Sequence, residues 1–514
     1  MLDARLSLVK PPRVPFAGAL AARIAVRIEP LIRPSFALVT MLALMTAGFY
    51  FGKGIPAVEL GIGGDLFPGH LYLTKIVWLA IALVLVALSR AFPSHRDIMG
   101  TVSGLVVYTV GIGWRATLLL VIWLLVSFYI LKFLNQQFAL LIAGIGMVAS
   151  AKLLPAPAVW GTYWFLALAG GRVAYYAFDR RYLRKRDVSL LRAFNYCFTP
   201  LLFLGPDLPP YPQFARPEPR ATTDRNAARL FYWAGIKVVL VVALVQLQHK
   251  VLPDPMHFDD LGWSWKTFVV LNCFVSAEFL RVFAAFDLCA ALANLAGHHV
   301  PDASEAPFLG PTLFSWFRRY SVNVINFYRR VAVLELTRRF RGRVGFVLVI
   351  TAAVAANLLH HTFLFGLLQP KKPVLKIFMS QSPVSLLLFF VAAYVMERAY
   401  LKYWPIARFI FMPVSLFVAS IVMFNPAVMW FGYGTLGKGV TPERVDCFFQ
   451  SYFTGAHCGV APAAMSPWVW DAVPCGMVLA STVLVIILGR LVPAFRAPVD
   501  TSAPANQRTV VETL

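Results

Sequence analysis

The sequence predicts an all-α integral membrane protein that crosses the bilayer many times, and three observations carry that expectation. Hydrophobic residues fill 59% of the 514 positions and charged residues only 14%, with a mean hydropathy of +0.69. Soluble domains of ordinary composition are far more polar. Apolar runs of about 20 residues, the length a helix needs to cross hydrocarbon, recur along the chain. The basic residues gather in the polar stretches between those runs, as they do in cytoplasmic loops.

Taken in order, the chain opens with FAGALAARIAVRIEPLIR (16–33), where Arg23, Arg27 and Arg33 interrupt apolar residues. Residues 1–35 lack the compact apolar core and small-residue cleavage site of a removable signal. They read as a cytoplasmic amphipathic segment lying on the inner leaflet. About 12 spans follow, at 36–51, 71–92, 99–113, 116–133, 137–154, 158–178, 229–248, 267–296, 344–368, 381–397, 405–430 and 471–489. The run 190–205, broken by Pro200 and framed by arginines, reads as re-entrant. The tail, 494–514, is polar and expected to be disordered.

Lys plus Arg number 47 and Asp plus Glu 24, a net charge of +23. In a soluble protein that balance would suggest nucleic acid. Here DRRYLRKRD (179–187), RPEPRATTDR (216–225) and RRVAVLELTRRFRGR (329–343) carry much of it as loops. The expected partner is therefore the lipid bilayer and no nucleic acid. An N-terminus inside places Arg90–Arg96, 179–187, 216–225 and 297–343 in the cytoplasm, and the loop 251–263, with Asp254, Asp259 and Asp260, outside. Twelve spans return the C-terminus to the cytoplasm. The chain then divides into N-terminal helices (36–189), a core (190–370) and C-terminal helices (371–493) with an external loop (431–470).

Of the 6 cysteines, Cys197, Cys273 and Cys289 lie in apolar segments and read as buried thiols. Cys447 and Cys458 share the external loop, where a disulfide can form. No Cys/His spacing suggests a metal site. GYGTLGKG (432–439) has the spacing of a phosphate-binding loop, but Gly439 replaces the magnesium-binding Ser or Thr. It also follows a span rather than a strand, and reads as an external loop. No internal repeat is visible, which weighs against transporters built from duplicated halves.

Residues 1–178 form the plain part, with few intramembrane charges, whereas polar groups crowd the segments after 190. Intramembrane polar groups are costly and tend to be functional, so chemistry is expected between about 190 and 370. The sharpest signal is NLLHHTFLFG (357–366) inside an otherwise apolar helix. His361 lies one turn after Asn357, while His360 points roughly 100° away. A neutral imidazole there can act as a general base toward a hydroxyl. Upstream, Arg318/Arg319 and Arg329/Arg330 alternate with aromatic residues, as in interfacial helices that meet anionic headgroups, or in a positive mouth that takes a donor phosphate. Glu278 and Arg281, three apart, are expected to pair. Asp287 must pair through space, with Arg318 or Arg319 as candidates.

Four segments, in order, resemble the membrane-bound O-acyltransferase family, in particular its bacterial polysaccharide O-acetyltransferase and teichoic acid D-alanyltransferase branch. FNYCFTPLLFLGPDLPPYPQF (194–214) resembles that family's proline-broken segment, through Thr199-Pro200 and Gly205-Pro206. FAAFDLCAALANLAGHHVPDASEAPFL (283–309) places Asp287 on a family aspartate. FSWFRRYSVNVINFYRR (314–330) resembles the arginine- and tryptophan-rich motif, and ANLLHHTFLFG (356–366) places His361 on the catalytic histidine, with His360 replacing a tryptophan. This chain departs from the pattern at Ser321 (His or Asn in the family), Arg330 (aspartate) and Thr362 (glycine).

The resemblance implies helices tilted around a funnel, with a tunnel between donor and acceptor faces. It implies transfer of an acyl group, most simply acetyl, from acetyl-CoA or an acyl carrier protein to a hydroxyl of a polysaccharide or other cell-envelope acceptor. A periplasmic partner acyltransferase and location in a bacterial inner membrane fit that role. His361 would be the base and His360 its neighbour. Ser321 or Asn323 would polarise the thioester carbonyl or orient the acceptor. Arg318, Arg319, Arg329, Arg330, Asn357 and Asp287 would line the substrate path. No metal or held cofactor is implied. A proton-coupled transporter or flippase, and an inactive scaffold of the same fold, stand as the alternatives.

Overall fold

The computed structural model describes residues 75–155, 163–180, 189–203, 209–216, 218–251, 265–302, 310–320, 322–333, 342–375, 383–427 and 467–492. The N-terminal segment, the first expected span, residues 252–263 of the acidic loop, residues 431–466 of the expected external loop with Cys447 and Cys458, and the tail lie outside them, whereas 467–470, expected as the end of that loop, already begin a helix. Every element among the described residues is helical. The helices are α1 (Lys75–Ala91), α2 (Arg96–Ile112), α3 (Trp114–Tyr129), α4 (Gln136–Ala151), α5 (Trp164–Asp179), α6 (Leu190–Phe198) and α7 (Tyr211–Ala215). They continue with α8 (Arg220–Val251), α9 (Trp265–Leu295), α10 (Leu313–Tyr320), α11 (Val322–Tyr328), α12 (Gly342–Leu368), α13 (Pro383–Ala427) and α14 (Pro467–Leu491).

Five stretches are long and apolar enough to cross a membrane: Trp114–Phe133, Arg220–Gln248, Ile350–Leu368, Leu387–Ala419 and Pro474–Leu491. The other expected runs among the described residues also become helices. Those of α1 and α4 are shorter apolar stretches, Trp78–Ala91 and Gln136–Ala151. The expected runs 381–397 and 405–430 are joined as the single helix α13, broken where Tyr403 leaves helical geometry at φ −126° and ψ 32°. The chain folds back there. The Ser415 hydroxyl lies 3.7 Å from Met396 Sδ, whereas residues 19 apart in a straight helix stand about 28 Å apart.

The expected re-entrant stretch is the short helix α6, about 13 Å long. Ser189 caps its start by accepting from the Arg192 N–H. Its end at Phe198 precedes Pro200, which cannot continue the ladder. A 3-10 turn follows at Pro200–Leu202, and Phe198, Leu201, Leu202 and Phe203 are all buried. Carbonyls freed by such a break need donors when no water reaches them. Arg172 of α5 provides two, to the carbonyls of Cys197 at 3.2 Å and Leu202 at 2.9 Å. Its remaining arm reaches the Tyr108 hydroxyl, and the Trp78 indole donates to the Pro200 carbonyl at 2.7 Å.

Residues 1–178 are expected to hold few intramembrane charges, and Arg172 is one of them. Arg172 is 1% exposed at the centre of the core. The crossing of α2 with α6 is close because Gly104 faces the Phe198 carbonyl, where a Cβ would collide with backbone. Gly113, at φ +88°, turns the chain between α2 and α3.

Among the described residues the apolar side chains gather in several clusters, two of them large. The larger joins α1–α7 to the first half of α8, the end of α9 and the end of α12, and the smaller joins α10, α13 and α14. One face of the bundle gathers the basic segments through ion pairs: Arg90 with Asp224 at 3.0 Å, Arg192 with Asp97 at 3.1 Å, Arg229 with Asp302 at 2.8 Å and Arg330 with Asp179 at 2.7 Å. Arg96 adds a bond to the Gly297 carbonyl at 2.7 Å. The ends of α4 and α12 also meet each other, where Lys371 donates to the Lys152 carbonyl at 2.8 Å.

Candidate active site

The histidines sit in the second half of α12. That helix lays Phe363, Gly366 and Leu367 against α4 and α5, where Gly144 lies near Phe363 and Gly170 near Leu367. With that face fixed, helical winding turns His360 toward one flank and His361 further round. His360 meets the ring of Tyr328 edge-on, centroids 5.7 Å apart at 76°. His361 lies 5.8 Å from His360 and 6.4 Å from Phe365, centroid to centroid. Both imidazoles are half-buried. Among the described residues, neither has a hydrogen-bond partner.

Tyr328 also directs its hydroxyl toward Asn357 Oδ1, at a long 3.5 Å. Asn357 is thus tied to His360 through Tyr328, although its spacing places it on the His361 face. Tyr328 and Phe327 are buried in an aromatic cluster with Tyr175 and Phe178 of α5. Phe327 meets Phe178 edge-on at 5.4 Å.

The other predicted site residues fall into three groups. Arg318 is exposed and Arg319 half-buried in the last turn of α10, and Arg329 is exposed just after α11. The start of α10 is pinned by Thr312, which accepts from the Ser315 N–H at 3.1 Å and donates to Glu397 of α13. Arg330 is committed to Asp179, whose side chain is 0% exposed. Asp287 is paired with Lys237 of α8 at 2.5 Å, which corrects the expected partners Arg318 and Arg319. Lys237 also lies over the Phe283 ring. Ser321 lies outside the described residues. So do the side chains of Asn323, which belongs to α11, and of Glu278, the expected partner of Arg281.

Three polar groups were not anticipated: Arg172 with Asp179, Tyr328, and a cluster around His298. Arg172 and Asp179 stand seven apart, hence on one helical face. That spacing was the available signal. In the third group, Asn195 donates to Asp97 Oδ1 at 2.8 Å and lies 3.2 Å from His298 Nε2. The His298 ring stacks on Phe214 at 4.2 Å. Burial, then Arg96, pushes the His298 imidazole down to about 3. Burial works to raise the Asp97 carboxyl, but the Asn195 hydrogen bond, His298 and Arg192 together bring it below its ordinary value.

No family model matches the chain, and no curated protein matches it significantly. Among the described residues, no group of three or more His, Cys, Asp or Glu is placed to hold a metal ion.

Proposed function

We propose that the protein is a membrane O-acyltransferase that moves an acyl group, most simply acetyl, from a thioester donor to a hydroxyl of a cell-envelope acceptor. The observation that carries this reading is the histidine pair, placed in an apolar helix with ring nitrogens unengaged by described residues and Tyr328 alongside. The ordered resemblance of four segments to the membrane-bound O-acyltransferase family supports it.

In the reaction, His361 takes the proton of the acceptor hydroxyl as its oxygen attacks the thioester carbonyl. The tetrahedral adduct collapses, the carbon–sulfur bond breaks, and the thiolate leaves with the proton returned by His361. Arg318 and Arg329 are exposed and suited to donor phosphates. The basic face is the cytoplasmic one on this reading, and the membrane a bacterial inner membrane.

The test is acyl transfer from radiolabelled acetyl-CoA, or from an acylated carrier protein, to envelope polysaccharide by purified protein in detergent. His361→Ala should lower the rate by about 10²–10⁴ without changing expression. Proton-coupled accumulation of solute in vesicles, with no acyl transfer, would favour a transporter.

A further inference from the structure

We infer that Asp179 is a positioning residue for the histidine pair, acting through Arg330 and the turn that carries it. Its effect on rate rests on the acyltransferase reading, whereas its effect on histidine exposure does not.

Residues Arg329–Val333 wind as a π-turn directly after α11. Such turns hold an extra residue, and reverting to α winding rotates one flank by roughly 100° relative to the other. Tyr328, against His360 and Asn357, ends the flank before the turn. Arg330 lies within the turn and reaches across to α5. The register of Tyr328 over His360 therefore depends on what holds Arg330.

Asp179 holds it, and is itself fixed at both oxygens. Oδ1 accepts from Arg330 at 2.7 Å, and Oδ2 accepts from the Tyr211 backbone N–H at 3.2 Å. The Arg330 guanidinium also lies over the Phe178 ring, 5.8 Å from its centre, and Phe327 lodges against Tyr175 and Phe178. The segment 327–330 is thus clamped to the end of α5 by three ring contacts and one ion pair. A buried carboxylate bonded this way costs more to strand than to keep paired. Arg330 is accordingly a strut rather than a ligand for donor phosphate.

The test compares Arg330→Gln, Arg330→Lys and Asp179→Asn with wild type in two measurements on detergent-purified full-length protein. In steady-state acyl transfer, Arg330→Gln and Asp179→Asn should lower kcat by about 10–100-fold through misplacement, with the donor KM within about twofold of wild type. Arg330→Lys, which keeps the charge, should recover most of the turnover. In diethylpyrocarbonate labelling read by mass spectrometry, both charge-removing variants should modify His360 several-fold faster, because Tyr328 no longer covers it.

A raised donor KM with unchanged kcat and unchanged labelling would overturn the inference and make Arg330 a phosphate ligand. Unchanged kinetics and labelling would also overturn it. Faster labelling in protein whose wild type transfers no acyl group would refute the acyltransferase reading and leave the positioning role standing. Arg330 is partly exposed, with 29% of its side chain accessible, so Arg330→Gln serves if Asp179→Asn does not fold.

Discussion

At the scale of single residues, the two histidines are chemically alike and differently placed. His360 lies under the Tyr328 ring, and His361 faces Phe365. We expect them to divide labour. His361→Gln should be as inactive as His361→Ala, because an amide hydrogen-bonds but does not accept the proton. His360→Ala should keep more activity and lose more thermal stability, because it removes a ring packed against Tyr328. Turnover and melting of the three variants check this. A dead His360→Ala beside a healthy His361→Ala would reverse the roles.

Arg172 makes a second prediction at this scale. It is the donor for two carbonyls of the broken helix and bonds the Tyr108 hydroxyl. Arg172→Leu should destabilise the protein by about 3 kcal/mol or more, since several buried acceptors lose their partner together. It should be read as a lower melting midpoint in detergent, with the donor KM unaffected in whatever fraction folds. A melting midpoint equal to wild type would show that the carbonyls find other donors.

At the scale of elements, several helix ends share one polar cluster. The starts of α2 and α6, the end of α7 and the loop after α9 meet around Asp97, Asn195 and His298. The His298 imidazole is pushed from 6.5 down to about 3. Below pH 6.5 the unfolded chain binds a proton there that the folded chain refuses. Stability is thus fully present above that value and falls toward pH 3, by at most about 1.4 kcal/mol per pH unit. The lowered Asp97 carboxyl acts in the same direction: its contribution is present above 3.8 and lost as pH falls through its folded value. Melting curves between pH 7.5 and 4.5 should shift downward with acid, and His298→Gln should remove most of that slope. An equal slope in the variant would place the acid sensitivity elsewhere.

At the scale of the whole molecule, ion pairs join segments that are far apart in sequence and expected on one side of the membrane. Arg90 meets Asp224, Arg229 meets Asp302, and Arg330 meets Asp179. Lys371 and Lys152 meet at other helix ends. We expect the first group to be cytoplasmic, from the enrichment of arginine there. In a cysteine-free background, a cysteine at Arg216 should resist membrane-impermeant maleimide in intact cells, and one at Lys372 should react. The opposite pattern would invert the topology.

The helical class, the positions of the apolar runs and the break at Pro200 were legible in the sequence. They follow from local chemistry: hydrocarbon demands apolar helices of fixed length, and proline ends the ladder wherever it falls. The histidine pair was legible for the same reason, since an imidazole in an apolar run stands out against its neighbours. Pairings were not. Nothing near Asp287 in sequence points to Lys237, 50 positions earlier, or near Arg330 to Asp179, 151 positions away. Nor does local sequence choose between His360 and His361 as the ring that Tyr328 covers. A buried charge takes whichever partner the packing brings within reach, and that is decided by how whole helices cross, at close contacts such as Gly104 on Phe198. Tertiary structure alone therefore paired Arg330, an expected phosphate ligand, with Asp179 at the end of α5.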